Sequence, residues 1–206
     1  MTENAYSPER IKYLSLLAEQ FSTFHELCME IINLSGVLSL PKGTEHFMSD
    51  IHGEYEAFYH ILNNCSGVVR EKVQLWLGDH LTQQGISELC TLIYYPSEKL
   101  RLLREAGVTT DEWYRKTLTD LVYLARKLSS KYTRSKVRKA LPKDYAYIID
   151  ELLHTRYDEA DKKEYFENII STILSIGRAP SFITALCQVI KRLAVDHMHI
   201  VGDLFD

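Results

Sequence analysis

The sequence predicts a predominantly helical α/β chain, in which two short parallel strands of one sheet bracket a large helical insertion. Three observations carry this. Apolar residues recur three and four positions apart over most of the chain, the spacing of an amphipathic helix. Two short apolar runs, "HFMSD" from His46 and "HIVGD" from His199, break that pattern, and each has a glycine close behind. Helices lie between the two runs, as in a parallel β-α-β unit.

In chain order, Ser7-Pro8-Glu9 reads as a helix start: a capping hydroxyl, a proline in the first turn and an acid near the positive end of the dipole. Ile11, Leu14, Leu17, Ala18 and Phe21 follow at helical spacing. Thr23 and Glu26 have the spacing of a capping box for a second helix carrying Leu27, Ile31 and Leu34, with Gly36 as its expected stop. "LPKGTE" is a turn, and "HFMSD" is a buried strand. From Glu54 the period is helical again, placing Tyr55, Phe58, Ile61 and Leu62 on one face, and "SGVVREKVQLWLG" contains a further helix. Ser87 to Leu193 is almost entirely helical. One element starts at Thr110, "LPKDYAYIIDELLH" has a proline near its start, "KKEYFENIISTILSIG" ends in glycine, and Ser181 is the expected cap of the last helix. Then "HMHIVGD" turns β-like. The expected segments are residues 1–65 (helices, first strand and its helix), 66–180 (the helical insertion) and 181–206 (second helix and strand).

Composition narrows the function classes. With 46% hydrophobic and 25% charged residues and a net charge of -4, the chain reads as an ordinary globular protein with no general attraction for nucleic acid or membranes. No secretory leader and no membrane-length apolar run is visible, so a cytoplasmic location is expected. Cys28, Cys65, Cys90 and Cys187 form no CxxC pair and read as reduced packing residues. Arg126 to Lys143 holds eight basic residues and no acidic one. It is either a phosphate- or nucleic-acid-binding patch, with Tyr132 offering a stacking face, or a solvated helix face or subunit contact. His46 and His60 lie near the first strand and suit supporting or packing roles. His197 and His199 belong to the second strand.

The chemistry concentrates at the two strand ends. Open α/β sheets place their sites beyond the carboxyl ends of the strands. Asp50 and His52 leave the first strand there, and Asp203 leaves the second. In extended backbone, alternate residues face one side, so Asp50 and His52 are expected to point together at one ion. Asp203, with two carboxylate oxygens, could bridge that ion to a second. Gly53 and Gly202 let backbone come close. Mixed carboxylate and imidazole donors suit manganese, iron or zinc better than calcium. Two such ions roughly 3.5–4 Å apart would polarise a phosphoryl group. Each motif alone is weak: DxH recurs by chance, and Gly-Asp is a common turn in which Asp206 could be a helix cap. Their pairing behind two apolar runs is what points to a metal site.

"SDIHGEYEAF" and "VGDLFD" resemble the first two motifs, DxH and GDxxD, of the metallophosphoesterase (calcineurin-like) superfamily. The usual separation is a few dozen residues; here it is about 150. That spacing fits one branch. "LSLPKGTEHFMSDIHGEYEAF", "LIYYPSEKL", "YTRSKVRKALPKDYAYIIDELLH" and "HMHIVGDLFD" resemble the N-terminal part of the Firmicutes-type, class III, fructose-1,6-bisphosphatases. The resemblance implies the start of a metallophosphoesterase α/β sandwich and a manganese-dependent hydrolase of gluconeogenesis. Such an enzyme removes the 1-phosphate of fructose 1,6-bisphosphate, a small-molecule sugar bisphosphate. It also implies that Asp50 and His52 bind the first metal, that Asp203 bridges both, and that Asp206 is structural.

The family pattern continues past GDxxD with Arg-Gly and, far downstream, with an asparagine–histidine motif and further metal-binding histidines. The sequence stops at Asp206. The expectation is therefore an N-terminal fragment that binds metal weakly, catalyses little by itself and, with open strand edges, tends to form homo-oligomers. The rivals are a helical interaction module with an inert motif remnant, and a metallophosphoesterase of another substrate class.

Overall fold

The computed structural model describes residues 6–155 and 160–205, with side chains in the tenth helix described from Lys162. Two compact units divide the chain, Met1–Pro41 and Lys42–Asp206.

The first unit holds α1 (Pro8–Gln20) and α2 (Phe24–Leu38). Both starts form as their caps dictate. The Ser7 hydroxyl accepts the Arg10 amide at 3.3 Å. Thr23 and Glu26 close a capping box, with the Glu26 amide on the Thr23 hydroxyl at 3.1 Å and the Thr23 amide on the Glu26 carboxylate at 3.0 Å. Gly36 does not stop α2: its backbone stays helical, and the helix ends at Leu38. No residue of either helix is buried, and Leu14, Leu27, Ile31 and Leu34 are exposed.

The second unit runs β1 (Glu45–Met48), α3 (Tyr55–Asn64), α4 (Val68–Leu77), α5 (Gln83–Tyr94), α6 (Pro96–Glu105), α7 (Asp111–Ser129), α8 (Arg134–Ala140), α9 (Ala146–His154), α10 (Ala160–Ser175), α11 (Ala179–Ala194) and β2 (His197–Ile200). Short 3-10 turns lie at Cys65–Gly67 and Lys143–Tyr145. The centre of the helical block is the pair α7 and α11. Leu118, Leu121, Leu124 and Leu128 meet Phe182, Ile183, Leu186 and Ile190 in one core, all at 1% exposure or less. Their spacing of three and four residues is the helical stripe that the sequence shows. Full burial of each contributes about 1.5–3 kcal/mol.

The Thr110 hydroxyl caps α7 by accepting the Trp113 amide at 3.2 Å. At the end of α10, Gly177 takes φ +69°, and the amides of Gly177 and Arg178 turn back to the Leu174 and Ile173 carbonyls, each at 2.9 Å. This left-handed stop suits glycine. Ser181 is not the cap of α11. The helix starts at Ala179, with Pro180 in the first turn, where a missing N–H costs nothing. The Ser181 hydroxyl donates instead to the Arg178 carbonyl at 3.0 Å. Cys65 and α11 share one core with α4 to α9.

β1 and β2 pair in parallel, Glu45 opposite His197 through Met48 opposite Ile200. Among the described residues the sheet holds these two strands.

Candidate metal site at the strand tips

The site is built where the paired strands end. The Val201 amide donates to the Met48 carbonyl at 2.8 Å, continuing the ladder. Beyond it the Ile51 amide donates to the Asp203 carbonyl at 2.7 Å, and the Gly53 amide to the Leu204 carbonyl at 3.1 Å. The Asp203 amide in turn donates to Asp50 Oδ1 at 3.0 Å, joining residues 153 positions apart. Gly202 makes this possible. A Cβ there would lie 2.1 Å from Asp50 Oδ1 and 2.8 Å from the Ser49 carbonyl carbon.

Asp50 reaches the Asp203 backbone across the two motifs, and His52 leaves β1 in a turn and not in the extended backbone expected of it. β1 ends at Met48, and His52 and Gly53 take φ +48° and +67°. The backbone is therefore a left-handed turn, not extended chain, and alternation along a strand does not aim His52 beside Asp50. A non-glycine residue at positive φ is uncommon and costs on the order of 1 kcal/mol, a feature that clusters at functional turns. Among the described residues, no three His, Cys, Asp or Glu side chains gather into an ion-binding set. Asp206 lies outside the described residues.

The donors fit a divalent cation in kind, and only in part in arrangement. Both carboxylates are exposed at one pair of strand tips. Among the described residues the Asp203 amide is the one hydrogen-bond partner of the Asp50 carboxylate, which leaves Oδ2 and both Asp203 oxygens for a ligand. Oxygen donors with an imidazole close in sequence suit a divalent first-row metal better than calcium.

Sequence reasoning missed the residue that seats the strand pair. Asp196, just before β2, has a side chain only 2% exposed. It accepts the Tyr132 hydroxyl and the Thr44 amide, each at 2.7 Å, lies 3.4 Å from Lys131 Nζ, and is ion-paired with Lys136. Its own amide donates to the Thr44 carbonyl at 2.8 Å. A Cβ at Gly43 would meet its carboxylate carbon at 2.7 Å. Burial opposes the charge, but the hydrogen bonds from Lys136, Tyr132 and Thr44 and the Lys131 charge outweigh it and hold the carboxyl down to about 2. The only hint in the sequence is a basic run with no acid of its own.

Half of that run is occupied by the fold. Besides Lys131 and Lys136, Arg126 donates to the Leu152 carbonyl at 2.8 Å and Arg138 to Asp150 at 3.2 Å. Three of the four cysteines are buried, Cys65, Cys90 and Cys187, and burial pushes the Cys65 thiol up to about 11 and the Cys187 thiol up to about 12. His60 Nδ1 lies 2.5 Å from the Tyr95 hydroxyl, and His199 Nε2 lies 3.5 Å from Glu45. The Nε2 of His46 is buried with no partner among the described residues.

A parallel strand pair with acidic tips, carried on a helical block, defines an α/β chain with DxH and GDxxD segments brought into contact. The description "Firmicute fructose-1,6-bisphosphatase" matches residues 12–206, and the chain belongs to that family. It is 52% identical over its whole length to a "Fructose-1,6-bisphosphatase class 3" of Clostridium acetobutylicum, covering 31% of that protein. It is 54% identical to the Listeria innocua protein of the same description, with 95% of this chain and 30% of the relative aligned. The chain thus spans about 30% of the length of these curated relatives. No solved structure matches it significantly.

Proposed function

We propose that the chain is the N-terminal part of a fructose-1,6-bisphosphatase and supplies the first donors of its two-metal centre. The supporting observation is the contact of Asp50 Oδ1 with the Asp203 amide at 3.0 Å, which joins the two motifs across the helical insertion. Asp50, His52 and Asp203 would hold manganese. The metal supplies positive charge that polarises the phosphoryl group. The chain's own contribution is to fix Asp50 through the Asp203 amide, to keep the tip open at Gly202 and to anchor both strands through Asp196. The substrate is fructose 1,6-bisphosphate, hydrolysed at its 1-phosphate to fructose 6-phosphate in gluconeogenesis. The parent fold is a metallophosphoesterase sandwich of which β1 and β2 are the first strands. The protein works in the cytoplasm and forms homo-oligomers.

Manganese titration by calorimetry and electron paramagnetic resonance tests the site. Weak, saturable binding is expected, lowered at least tenfold by Asp50→Ala and by Asp203→Ala. Binding unaltered by both substitutions would remove the strand tips as the site.

A further inference from the structure

A cavity of about 400 Å³ lies between α5, α6 and α7, away from the strand tips. Its size is in the range of small-molecule sites, roughly 300–1,000 Å³. Leu89, Leu92, Leu103 and Trp113 give it apolar walls.

Three features set it apart from a packing defect. Thr117 on α7 is 7% exposed and lines the cavity, and among the described residues its hydroxyl has no hydrogen-bond partner. The oxygen itself is not sealed off: it opens on the cavity, and whatever fills that space, water or a ligand, is its partner. Gly85, in the first turns of α5, also lines it. A Cβ there would make only ordinary contacts, 3.5 Å to Thr82 Oγ1 and 3.6 Å to Leu81, so packing does not demand glycine. Glycine in a helix costs about 1 kcal/mol relative to alanine; here it keeps a wall open. Finally, the rim is charged yet balanced: Lys99 pairs with Glu88 from α6 to α5, and Lys116 with Asp120 along α7 at 3.0 Å.

We propose that this cavity binds an aromatic α-amino acid that carries a ring hydroxyl. The apolar walls and Trp113 take the ring, and the Thr117 hydroxyl meets the ring hydroxyl. The two lysines take the carboxylate, and Glu88 and Asp120 take the ammonium. A zwitterion can set each of its charges against an opposite charge of this paired rim, whereas a singly charged analogue meets like charge with no second group to offset it.

The probes are L-tyrosine, L-phenylalanine, tyramine and 3-(4-hydroxyphenyl)propionate, titrated into the full chain and followed by calorimetry and by tryptophan fluorescence. L-tyrosine is expected to bind saturably, with phenylalanine and both singly charged analogues at least fivefold weaker. Thr117→Val is expected to bring tyrosine down to the phenylalanine level. Gly85→Leu is expected to abolish binding with the helical circular dichroism unchanged; Gly85→Ala, the smaller change, is expected to weaken it while raising the melting temperature. Absence of saturable tyrosine binding, a tyrosine preference that survives Thr117→Val, or binding unaffected at Gly85 would each overturn the proposal.

Discussion

At the residue scale, Gly202 is the most constrained position of the site. Its missing side chain is what allows Asp50 to reach the Asp203 amide, since a Cβ would sit 2.1 Å from that carboxylate oxygen and against the Ser49 backbone. Backbone cannot step aside as a flexible side chain can. Gly202→Ala is therefore expected to destabilise the fold by about 1–3 kcal/mol, the range for overpacking, and to abolish measurable manganese binding. Urea unfolding with and without metal checks both; an unchanged midpoint and intact binding would contradict the geometry. The glycine and the two aspartates are legible in the sequence because motifs record residue type and order. The His52 turn is not. A left-handed residue ahead of Gly53 leaves the same letters as an extended one, so strand periodicity was carried four residues too far past Met48.

At the element scale, the strand pair depends on one buried carboxylate. Asp196 ties Thr44 ahead of β1, its own position ahead of β2, and Tyr132, Lys131 and Lys136 around the junction of α7 and α8. Its carboxyl is held at about 2 against an ordinary value of 3.8. A depressed folded-state value means that the unfolded chain binds the proton more readily. The stabilisation is thus complete above about pH 4 and is lost as pH falls toward 2, on the order of 2 kcal/mol at 1.36 kcal/mol per unit. Asp196→Asn is expected to lower stability at pH 7 by at least that amount and to flatten the fall in urea midpoint between pH 4 and 2. A mutant with the wild-type slope in that window would assign the acid sensitivity elsewhere. Helices and their order were readable from apolar spacing, and caps at Ser7, Thr23 and Thr110 from local chemistry. Two ends were misplaced, at Gly36 and Ser181, where a permissive glycine and an ordinary serine stay inside a helix. Asp196 was hidden because its partners come from distant segments, a relation that no local pattern carries.

At the scale of the whole molecule, the helical block is self-sufficient and the strand pair is not. α7 and α11 close a buried apolar core, whereas Phe47, Val201 and Phe205 along the strands and their tips are 65%, 70% and 80% exposed. Two strands alone are marginal as a sheet in water, and unpaired edges with apolar neighbours invite association. The isolated chain is accordingly expected to self-associate with rising concentration in sedimentation experiments, and to hydrolyse fructose 1,6-bisphosphate negligibly with manganese present. Because it covers 31% of the Clostridium acetobutylicum relative at 52% identity, the decisive comparison is a chimera that joins it to the remaining portion of that protein. The chimera is expected to sediment as a defined species and to release phosphate, with Asp50→Asn or Asp203→Asn lowering the rate at least a hundredfold. The Asp196→Asn chimera should lose activity mainly through stability, regaining it as temperature falls, since its role is to seat the strands and not to touch substrate. Activity in the chimera that is indifferent to both tip aspartates would show that these strands carry the fold of the family without carrying its chemistry.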